Sequence, residues 1–363
     1  MNRFDRQILL KNFGIAAQGK LLQARVLVVG AGGLGCPVLM YLASAGVGQI
    51  TIVDGDVVNE SNLNRQVLFG EGDLVKNKAN AAKEILNQKY SDIELDAVSE
   101  FITSKNAAKL IQAHDLVIDG TDNFATRYLI NDTCVLLQKP LVFGAIYQNE
   151  GQVALFNVAD ENGIATNYRD VFPIPPKENQ IPNCNETGVL GVVPGIIGVL
   201  MATEAIKYLT CFGTALKNKM LVYNLMHTHF HEIALEKNPF ASSIIPTTIE
   251  ALEATDYGFQ CALTNEISWQ EAINIFQQNE ATTLLLDVRE IHEQPKLKDY
   301  PTSFIPLKFL SQKIDSVSSF HNIFIFCQSG MRSREALTIL QQHFPYKNIA
   351  SIKGGIHSFV EKN

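Results

Sequence analysis

The sequence predicts an α/β protein of two domains, a larger one with a mixed sheet and a smaller α/β unit behind it. In the N-terminal part a β-branched apolar run ends at Gly30, a glycine-rich turn and an apolar helical run follow, and a second apolar run closes on Asp54. This order of strand, glycine turn, helix and strand is typical of dinucleotide-type folds. After about residue 265 a second set of helical and strand-like runs begins, which indicates a separate unit.

Composition limits the possible function classes. The chain has 363 residues, 46% hydrophobic and 18% charged, with a net charge of −7 that argues against broad nucleic-acid binding. The first ten residues carry charges where a signal peptide needs an apolar core, and the longest apolar run, 189–202, is interrupted by Gly and Pro. That run is shorter than the roughly 20 residues of a membrane span. We therefore expect a cytoplasmic protein that binds neither nucleic acid nor a membrane.

The predicted elements continue the α/β pattern along the chain. An N-terminal helical arm covers residues 1–24 and a helix begins at Lys78. Further strands are predicted at 93–102, 115–120, 141–146, 151–157, 220–225 and 229–235, with a helix at 194–209. In the second unit the prediction is a helix at 268–278, strands at 283–290 and 323–327, and a helix from Arg334. These boundaries give domains at 1–240 and 265–363, joined by a linker at 241–264 that is rich in Pro, Ser and Thr.

The glycine turn predicts a nucleotide site. Its glycines permit a tight turn and close approach of the backbone, and the following helix offers free N–H groups to phosphate. Asp54, at the tip of the second strand, is placed to accept hydrogen bonds from ribose hydroxyls. The turn alone does not choose among NAD, FAD and ATP. Its glycines are Gly30, Gly32, Gly33 and Gly35.

The residues that follow Asp54 favour a triphosphate. Arg65 lies in an amide-rich loop and Lys78 opens the next helix, which is more positive charge than hydride transfer needs. Asp122 follows a buried strand at the edge where such sheets bind ligands, so it is placed like a magnesium ligand. The alternative for Arg65 and Lys78 is that they are solvated loop charges.

Six motifs in this order resemble the MoeB/ThiF/HesA-type adenylyltransferases, relatives of the ubiquitin-activating enzymes, over residues 1–240. The motifs are GAGGLGCP, VDGD, SNLNRQ, KNKA, GTDNFATRYLIND and NCNETGVLGVVPGIIG. The resemblance implies a Rossmann-like fold that binds ATP and Mg²⁺ and takes a ubiquitin-like sulfur-carrier protein ending in Gly-Gly. The carrier's C-terminal carboxylate would become an acyl-adenylate with release of pyrophosphate.

The resemblance also assigns roles to individual residues. Gly33 and Asp54 would place the nucleotide, Asp122 would hold magnesium with Asn123 beside it, and Arg65 and Lys78 would supply positive charge. The nucleotide would be lined by Ser61, Asn62, Leu63, Asn64 and Arg65.

Two further residues have implied roles that reach beyond the nucleotide. Arg6 would reach the phosphates of the other subunit's site, which implies a homodimer. Cys184 would lie on a segment crossing the adenylate site and form a covalent link to the activated carrier or the sulfur donor. The plain alternative is an unreactive loop thiol.

The second unit resembles a rhodanese, a domain that carries persulfide sulfur on a cysteine. Its signature is CQSGMRS, in which loop N–H groups and a helix N-terminus surround the sulfur of Cys327 and Arg332 adds charge. The implied persulfide loop consists of Gln328, Ser329, Gly330, Met331, Arg332 and Ser333. A donor such as a cysteine desulfurase would load it. One departure is KDYPTSFIPL at 298–307, which replaces a histidine-containing turn of the family.

Zinc is the clearest departure from the adenylyltransferase pattern. Family members carry two pairs of cysteines, whereas the corresponding positions here read Asn167, Asp170, Ala241 and Ser243 or neighbours, so we expect no zinc. A second metal candidate is the trio His227, His229 and His231, which would share one face of a strand. The alternative is an ordinary strand face.

These observations predict a two-domain sulfur-activation enzyme. The first domain would adenylate a carrier and the second would deliver persulfide sulfur from Cys327, which gives a thiocarboxylate. The small subunit of molybdopterin synthase is the favoured carrier, with the thiamine-thiazole carrier as the alternative. A ubiquitin-type activating enzyme would need a catalytic-cysteine domain of its own, and an NAD-dependent redox protein would have no need of Arg65, Lys78 and Asp122.

Overall fold

An eight-stranded mixed sheet organises the first unit of this computed structural model, which describes residues 3–175, 188–257, 266–297, 300–344 and 347–360. The chain divides into two units, Met1–Phe259 and Gln260–Asn363. The strand order is β3-β2-β1-β4-β5-β6-β7-β8, parallel from β3 to β5 and antiparallel from there to β8. The strands are β1 Arg25–Val29, β2 Gln49–Val53, β3 Glu94–Val98, β4 Leu116–Asp119, β5 Leu141–Tyr147, β6 Glu150–Phe156, β7 Lys219–Asn224 and β8 His229–Ala234.

Helices cover both faces of this sheet, which confirms the predicted α/β class with a mixed sheet. One face carries a hydrophobic core shared with α2, α3, α4 and α8, and the other a core shared with α5, α6 and α10. The helices are α1 Asp5–Ile8, α2 Gly14–Gln23, α3 Gly35–Ala45, α4 Lys78–Lys89, α5 Ala107–Gln112, α6 Phe124–Leu136, α7 Tyr168–Val171, α8 Val192–Thr210, α9 Pro239–Ile244 and α10 Ile249–Ala254.

The glycine turn lies where the strand order reverses direction. β1 pairs with both β2 and β4, and Val29 stands opposite Asp119, so the turn after β1 and the loop after β4 meet at one edge. A Cβ at Gly30, whose φ is +92°, would lie 2.9 Å from the carbonyl oxygen of Gly120. Ligands of open α/β sheets bind at such a reversal.

Helix α8 lies very close to the sheet because two strand positions have no side chain. A Cβ at Gly144 would lie 2.2 Å from the sulfur of Met201, and one at Gly151 would lie 2.2 Å from Cγ1 of Ile197. By length and composition alone α8 resembles a membrane span. However, its buried residues include Val193, Ile197 and Met201, so in this fold it is a core helix.

The predicted linker, 241–264, is corrected over its first part. Helices α9 and α10 occupy this region, and Thr248 caps α10 by accepting from the N–H of Ala251. Leu252 and Tyr257 are buried in the core that contains α6. The sequence shows no clear helical periodicity of apolar residues here because each helix has only six residues.

The second unit has a parallel sheet of order β11-β10-β12-β13-β9 with a hydrophobic core on each face. Its elements are β9 Glu266–Ile267, α11 Trp269–Gln278, β10 Thr283–Asp287, β11 Thr302–Phe304, α12 Leu307–Leu310, β12 Asn322–Phe326, α13 Met331–His343, β13 Asn348–Ile352 and α14 His357–Val360. Strands β9, β11 and β13 were not predicted, since two are very short and β13 reads NIASI. The departing segment 298–307 supplies edge strand β11, and α13 begins at Met331 rather than Arg334.

Candidate active site

Asp54 holds the glycine turn against the end of β2. Its Oδ2 accepts from the N–H of Ala31 at 2.8 Å and its Oδ1 from the N–H of Asp56 at 2.8 Å. Burial raises the pKa of the Asp54 carboxyl, and the nearby charge of Lys78 opposes that rise. A carboxylate fixed in this way still has lone pairs to accept from ribose hydroxyls.

The two central glycines of the turn differ in the space around them. A Cβ at Gly33 would lie 3.1 Å from Cβ of Pro194 and 3.5 Å from Cγ of Arg65, whereas Gly32 has no neighbour nearer than 3.9 Å. Gly35 differs, because it is buried and its Cβ would lie 1.9 Å from the carbonyl oxygen of Gly30. Close packing within the turn therefore requires a glycine at position 35.

Arg65 is positioned by its own loop. Its Nη1 donates to the carbonyl oxygen of Ser61 at 2.9 Å and to Oδ1 of Asn64 at 3.0 Å. Asn62 accepts from the N–H of Asn59, and Leu63 packs against the core of the first unit. The predicted stretch 61–65 thus folds into one short turn that fixes the position of the Arg65 guanidinium.

Lys78 is buried, so it is not a solvated loop charge. It is the first residue of α4, behind the N-cap Asn77, and is 6% exposed. Its Nζ lies 3.1 Å from Oδ2 of Asp56. A buried ammonium with one carboxylate retains N–H donors for a second anion.

Asp122 projects from the loop after β4 into solvent. It is exposed, and no other residue in the described ranges forms a hydrogen bond or ion pair with it. The neighbouring Asn123 caps α6 by accepting from the N–H of Thr126 at 2.8 Å. A single free carboxylate fits Mg²⁺, which proteins commonly bind with one or two carboxylates and substrate phosphates.

Two buried residues that the sequence analysis did not single out support this loop. Asp119 accepts at Oδ1 from the N–H and the hydroxyl of Thr121, while its Oδ2 has no partner among the described residues. Burial raises the pKa of the Asp119 carboxyl. Arg127 donates from Nη2 to the carbonyl oxygen of Thr121 at 3.0 Å and lies near the rings of Phe124 and Phe143. The signal was present, since Arg127 lies inside the motif GTDNFATRYLIND.

The two remaining predicted residues of the first unit are not brought to the turn by the described structure. Arg6 lies on α1, is exposed and has no partner within the described ranges. Cys184 lies outside the described residues.

In the second unit the sulfur of Cys327 is enclosed by backbone. Cys327 follows β12 and is 1% exposed, and its Sγ accepts from the N–H of Gly330 at 3.1 Å. Ser333 places its Oγ 3.7 Å from the same sulfur. A Cβ at Gly355 would lie 2.5 Å from the carbonyl oxygen of Cys327, which explains a glycine at that position.

The structure places the predicted persulfide loop partly in α13. Met331, Arg332 and Ser333 form its first turn, behind Gly330 with φ +101°, and Ser329 is exposed. Gln328 is fixed from two sides, because its Oε1 accepts from Arg289 and its Nε2 donates to Nε2 of His357 at 2.7 Å. The loop therefore ends as a helix N-terminus directed at the sulfur.

Arg332, which the resemblance expects to add positive charge near the sulfur, is paired with a carboxylate. Its two terminal nitrogens donate to both carboxylate oxygens of Glu293, at 2.6 and 2.7 Å. Glu293 lies in the segment after β10, where sequence pattern gave no reason to single it out.

The Asp170 carboxylate connects the two segments in which the resemblance expects zinc-binding cysteines. Helix α7 contacts α9, and Asp170 accepts from the N–H of Asn167 at 2.7 Å, the N–H of Asn238 at 2.9 Å and the ammonium of Lys237 at 3.2 Å. The Asp170 side chain is fully buried.

In the described residues the histidine trio is not arranged as metal ligands. His229 and His231 stack on β8 with ring centroids 5.7 Å apart, whereas His227 lies in the turn before that strand. In the described ranges no group of three or more His, Cys, Asp or Glu residues is arranged to hold a metal ion. The alternative of a strand face is the better description.

Comparison with known proteins covers both units. Residues 4–243 match the family model described as the ThiF family. Over 99% of this chain and 93% of its own length, the probable adenylyltransferase/sulfurtransferase MoeZ of Mycobacterium tuberculosis is 35% identical. The adenylyltransferase and sulfurtransferase MOCS3 of Aedes aegypti is 34% identical over 99% of this chain and 86% of its own.

Matches to the first unit alone are also found. The sulfur carrier protein adenylyltransferase of Thermus thermophilus is 45% identical over 66% of this chain and 89% of its own. Among solved structures, Escherichia coli MccB with AMPCPP and MccA aligns with a TM-score of 0.57 at 23% identity, over 66% of this chain and 72% of that one. At that identity the likeness concerns the fold.

Proposed function

Because the chain belongs to the ThiF family, we propose that its first unit adenylates the C-terminal glycine of a sulfur-carrier protein. The observation that carries this proposal is the meeting of the glycine turn and the Asp122 loop at one sheet edge, with Lys78 within electrostatic range of Asp54. Relatives named as sulfur-carrier adenylyltransferases support the same substrate class.

The chemistry requires the charges that this site offers. A carboxylate that attacks an anionic α-phosphate needs fixed positive charge in a site with little water. ATP would supply the adenylyl group, Gly32 would leave room for its phosphates, and Arg65 and Lys78 would neutralise them. Asp122 would hold Mg²⁺, while Asp119 and Arg127 would hold the loop that carries it.

The second unit is proposed to pass sulfur to the activated carrier. The thiolate of Cys327 would take the outer sulfur of a persulfide donor such as a cysteine desulfurase, and the N–H of Gly330 would stabilise the resulting anion. The Cys327 persulfide would attack the carrier acyl-adenylate and displace AMP, which gives an acyl disulfide. A second thiol would then attack the Cys327 sulfur of that disulfide, so that the carrier thiocarboxylate leaves with the electron pair and Cys327 remains in a disulfide that a thiol reductant reopens. Relatives named adenylyltransferase/sulfurtransferase along the whole chain support this combination.

We propose the small subunit of molybdopterin synthase as the carrier, with the thiamine-thiazole carrier as the second candidate. The resemblance implies that such a carrier ends in Gly-Gly. Incubation of each carrier with Mg²⁺ and ATP, followed by mass measurement of its C-terminus, would distinguish them.

Two substitutions separate the proposed chemistries. Cys327→Ser should leave carrier-dependent exchange between ATP and pyrophosphate intact and abolish thiocarboxylate formation, because a serine hydroxyl is barely ionised at neutral pH and cannot carry a sulfane sulfur. Asp122→Ala should lose exchange and keep transfer of sulfur to cyanide. If the Cys327→Ser protein makes thiocarboxylate at the wild-type rate from a protein persulfide, the second unit is not the donor. If wild-type protein shows no carrier-dependent exchange, the adenylation proposal is wrong.

A further inference from the structure

Two guanidinium groups approach the Cys327 loop, and a carboxylate holds each of them. Arg289 is fully buried and donates to both oxygens of Asp287, at 2.8 to 3.2 Å, as well as to Gln328. Arg332 forms two parallel hydrogen bonds to Glu293. Parallel pairs of this kind are the strongest geometry for an arginine and a carboxylate.

Glu293 is itself fixed in place. Its Oε1 accepts from the N–H of Glu290 at 2.7 Å, and its own N–H donates to the carbonyl oxygen of Glu290 at 3.1 Å. The hydrogen bonds from Arg332 lower the pKa of Glu293 to about 2, so the carboxylate is charged throughout the neutral range. The hydrogen bonds to Glu293 are the main cause that raises the pKa of Arg332, and the charge of Cys327 acts in the same direction. Arg332 therefore lies within electrostatic range of the sulfur.

We propose that Glu293 sets the charge selectivity of the sulfur-donor site. By pairing with Arg332 it cancels the cation that would otherwise attract an oxyanion donor, and the site then favours a persulfide on a protein cysteine, which carries at most one negative charge, over the thiosulfate dianion. This inference rests on the sulfurtransferase role proposed above, and it names the residue that determines which donors that role accepts.

The two donors differ in charge and not in the bond that forms. With thiosulfate, the Cys327 thiolate attacks the outer sulfur, the S–S bond of thiosulfate breaks and sulfite leaves with the electron pair. With a persulfide R–S–SH, the thiolate attacks the outer sulfur and R–S⁻ leaves with the electron pair. Only the first reaction brings a dianion to a thiolate, so only the first depends strongly on an unpaired cation.

Sulfur transfer from thiosulfate to cyanide tests the proposal in the full-length protein. In Glu293→Gln the positive charge of Arg332 is no longer neutralised, so kcat/KM for thiosulfate should rise about tenfold because KM falls. This is the low end of the change in affinity that one nearby charge causes at a partly exposed site. Arg332→Gln should lower it, and the double variant should return near wild type. Glu290→Gln is the matched control, because its carboxylate lies in the same turn but pairs with Lys308. No change in Glu293→Gln relative to Glu290→Gln would overturn the proposal.

A second measurement does not depend on turnover. Iodoacetate and iodoacetamide alkylate a thiolate by the same displacement of iodide, and only the former is an anion. The ratio of their rates at Cys327, followed by mass of the peptide that contains it, should rise in Glu293→Gln and fall in Arg332→Gln, each about threefold or more. An equal ratio in all variants would show a purely structural ion pair. Failure of the wild-type protein to form a persulfide at Cys327 would instead refute the sulfurtransferase proposal.

Discussion

At Gly35 the glycine turn leaves no room for a methyl group. A Cβ there would lie 1.9 Å from the carbonyl oxygen of Gly30, so the backbone of the turn must move. We expect Gly35→Ala to cost roughly 1–3 kcal/mol of stability and to weaken ATP binding, since the moved backbone is the phosphate-facing one.

Gly19 provides the control for that change. It lies inside α2 with no atom within 4 Å of its Cβ position, so Gly19→Ala should stabilise the protein by roughly 0.5–1 kcal/mol without an effect on ATP binding. Denaturant unfolding and calorimetric titration of ATP measure both quantities. Equal stability of the two variants would contradict this account of Gly35.

The Glu293 and Arg332 pair should make the stability of the second unit depend on pH. The pKa of Glu293 falls from 4.5 to about 2 on folding. A lowered folded-state pKa stabilises above the unfolded-state value and loses that effect as pH falls toward the folded-state value. The stability gap between wild type and Glu293→Gln should therefore be full above about pH 4.5 and shrink toward pH 2. Unfolding followed by the fluorescence of Trp269 measures it, and a gap that is constant with pH would argue against the pair.

At the scale of elements, Asp170 connects α7 to the start of α9. Two backbone N–H groups, from Asn167 and Asn238, lose their acceptor in Asp170→Ala, and we expect a cost of about 2–4 kcal/mol. Lys237→Ala removes only a half-exposed ion pair, worth less than about 1 kcal/mol. Denaturant unfolding compares the two variants.

We propose that this connection makes zinc unnecessary, and the same samples test that. Elemental analysis should find no stoichiometric zinc, and a chelator should leave the unfolding curve unchanged. Bound zinc with unfolding on chelation, or equal costs for Asp170→Ala and Lys237→Ala, would show that the carboxylate does not hold the two helices together.

Elements with a strong local pattern were predictable, and those defined by tertiary contact were not. Strands such as β1 and β4 are continuous apolar runs, and α3 ends at Gly46 with φ +85°, so each could be placed from its residues alone. Helix α10 could not, because its place depends on Leu252 and Tyr257 entering a core made largely by earlier residues. Glu293 escaped prediction for the same reason, since its partner is 39 residues away.

For the whole molecule, we propose a homodimer in which Arg6 completes the partner's site. Arg6 is exposed on α1 without a partner in the described part of its own chain. Mixed dimers of an Arg6→Ala chain and an Asp122→Ala chain should recover part of the carrier-dependent exchange activity, because one of their two sites has both residues intact. The single-variant dimers serve as controls, and inactive mixed dimers of verified composition would exclude a shared site.

The close seating of α8 has a consequence for how this site tolerates change. Gly144 and Gly151 set the depth of the helix on the sheet, and Pro194, in its first turn, contacts the position where Gly33 would carry a side chain. We therefore propose that these two glycines influence the width of the cleft in which ATP would bind. A methyl group at Gly144 or Gly151 should therefore displace α8 and weaken nucleotide binding.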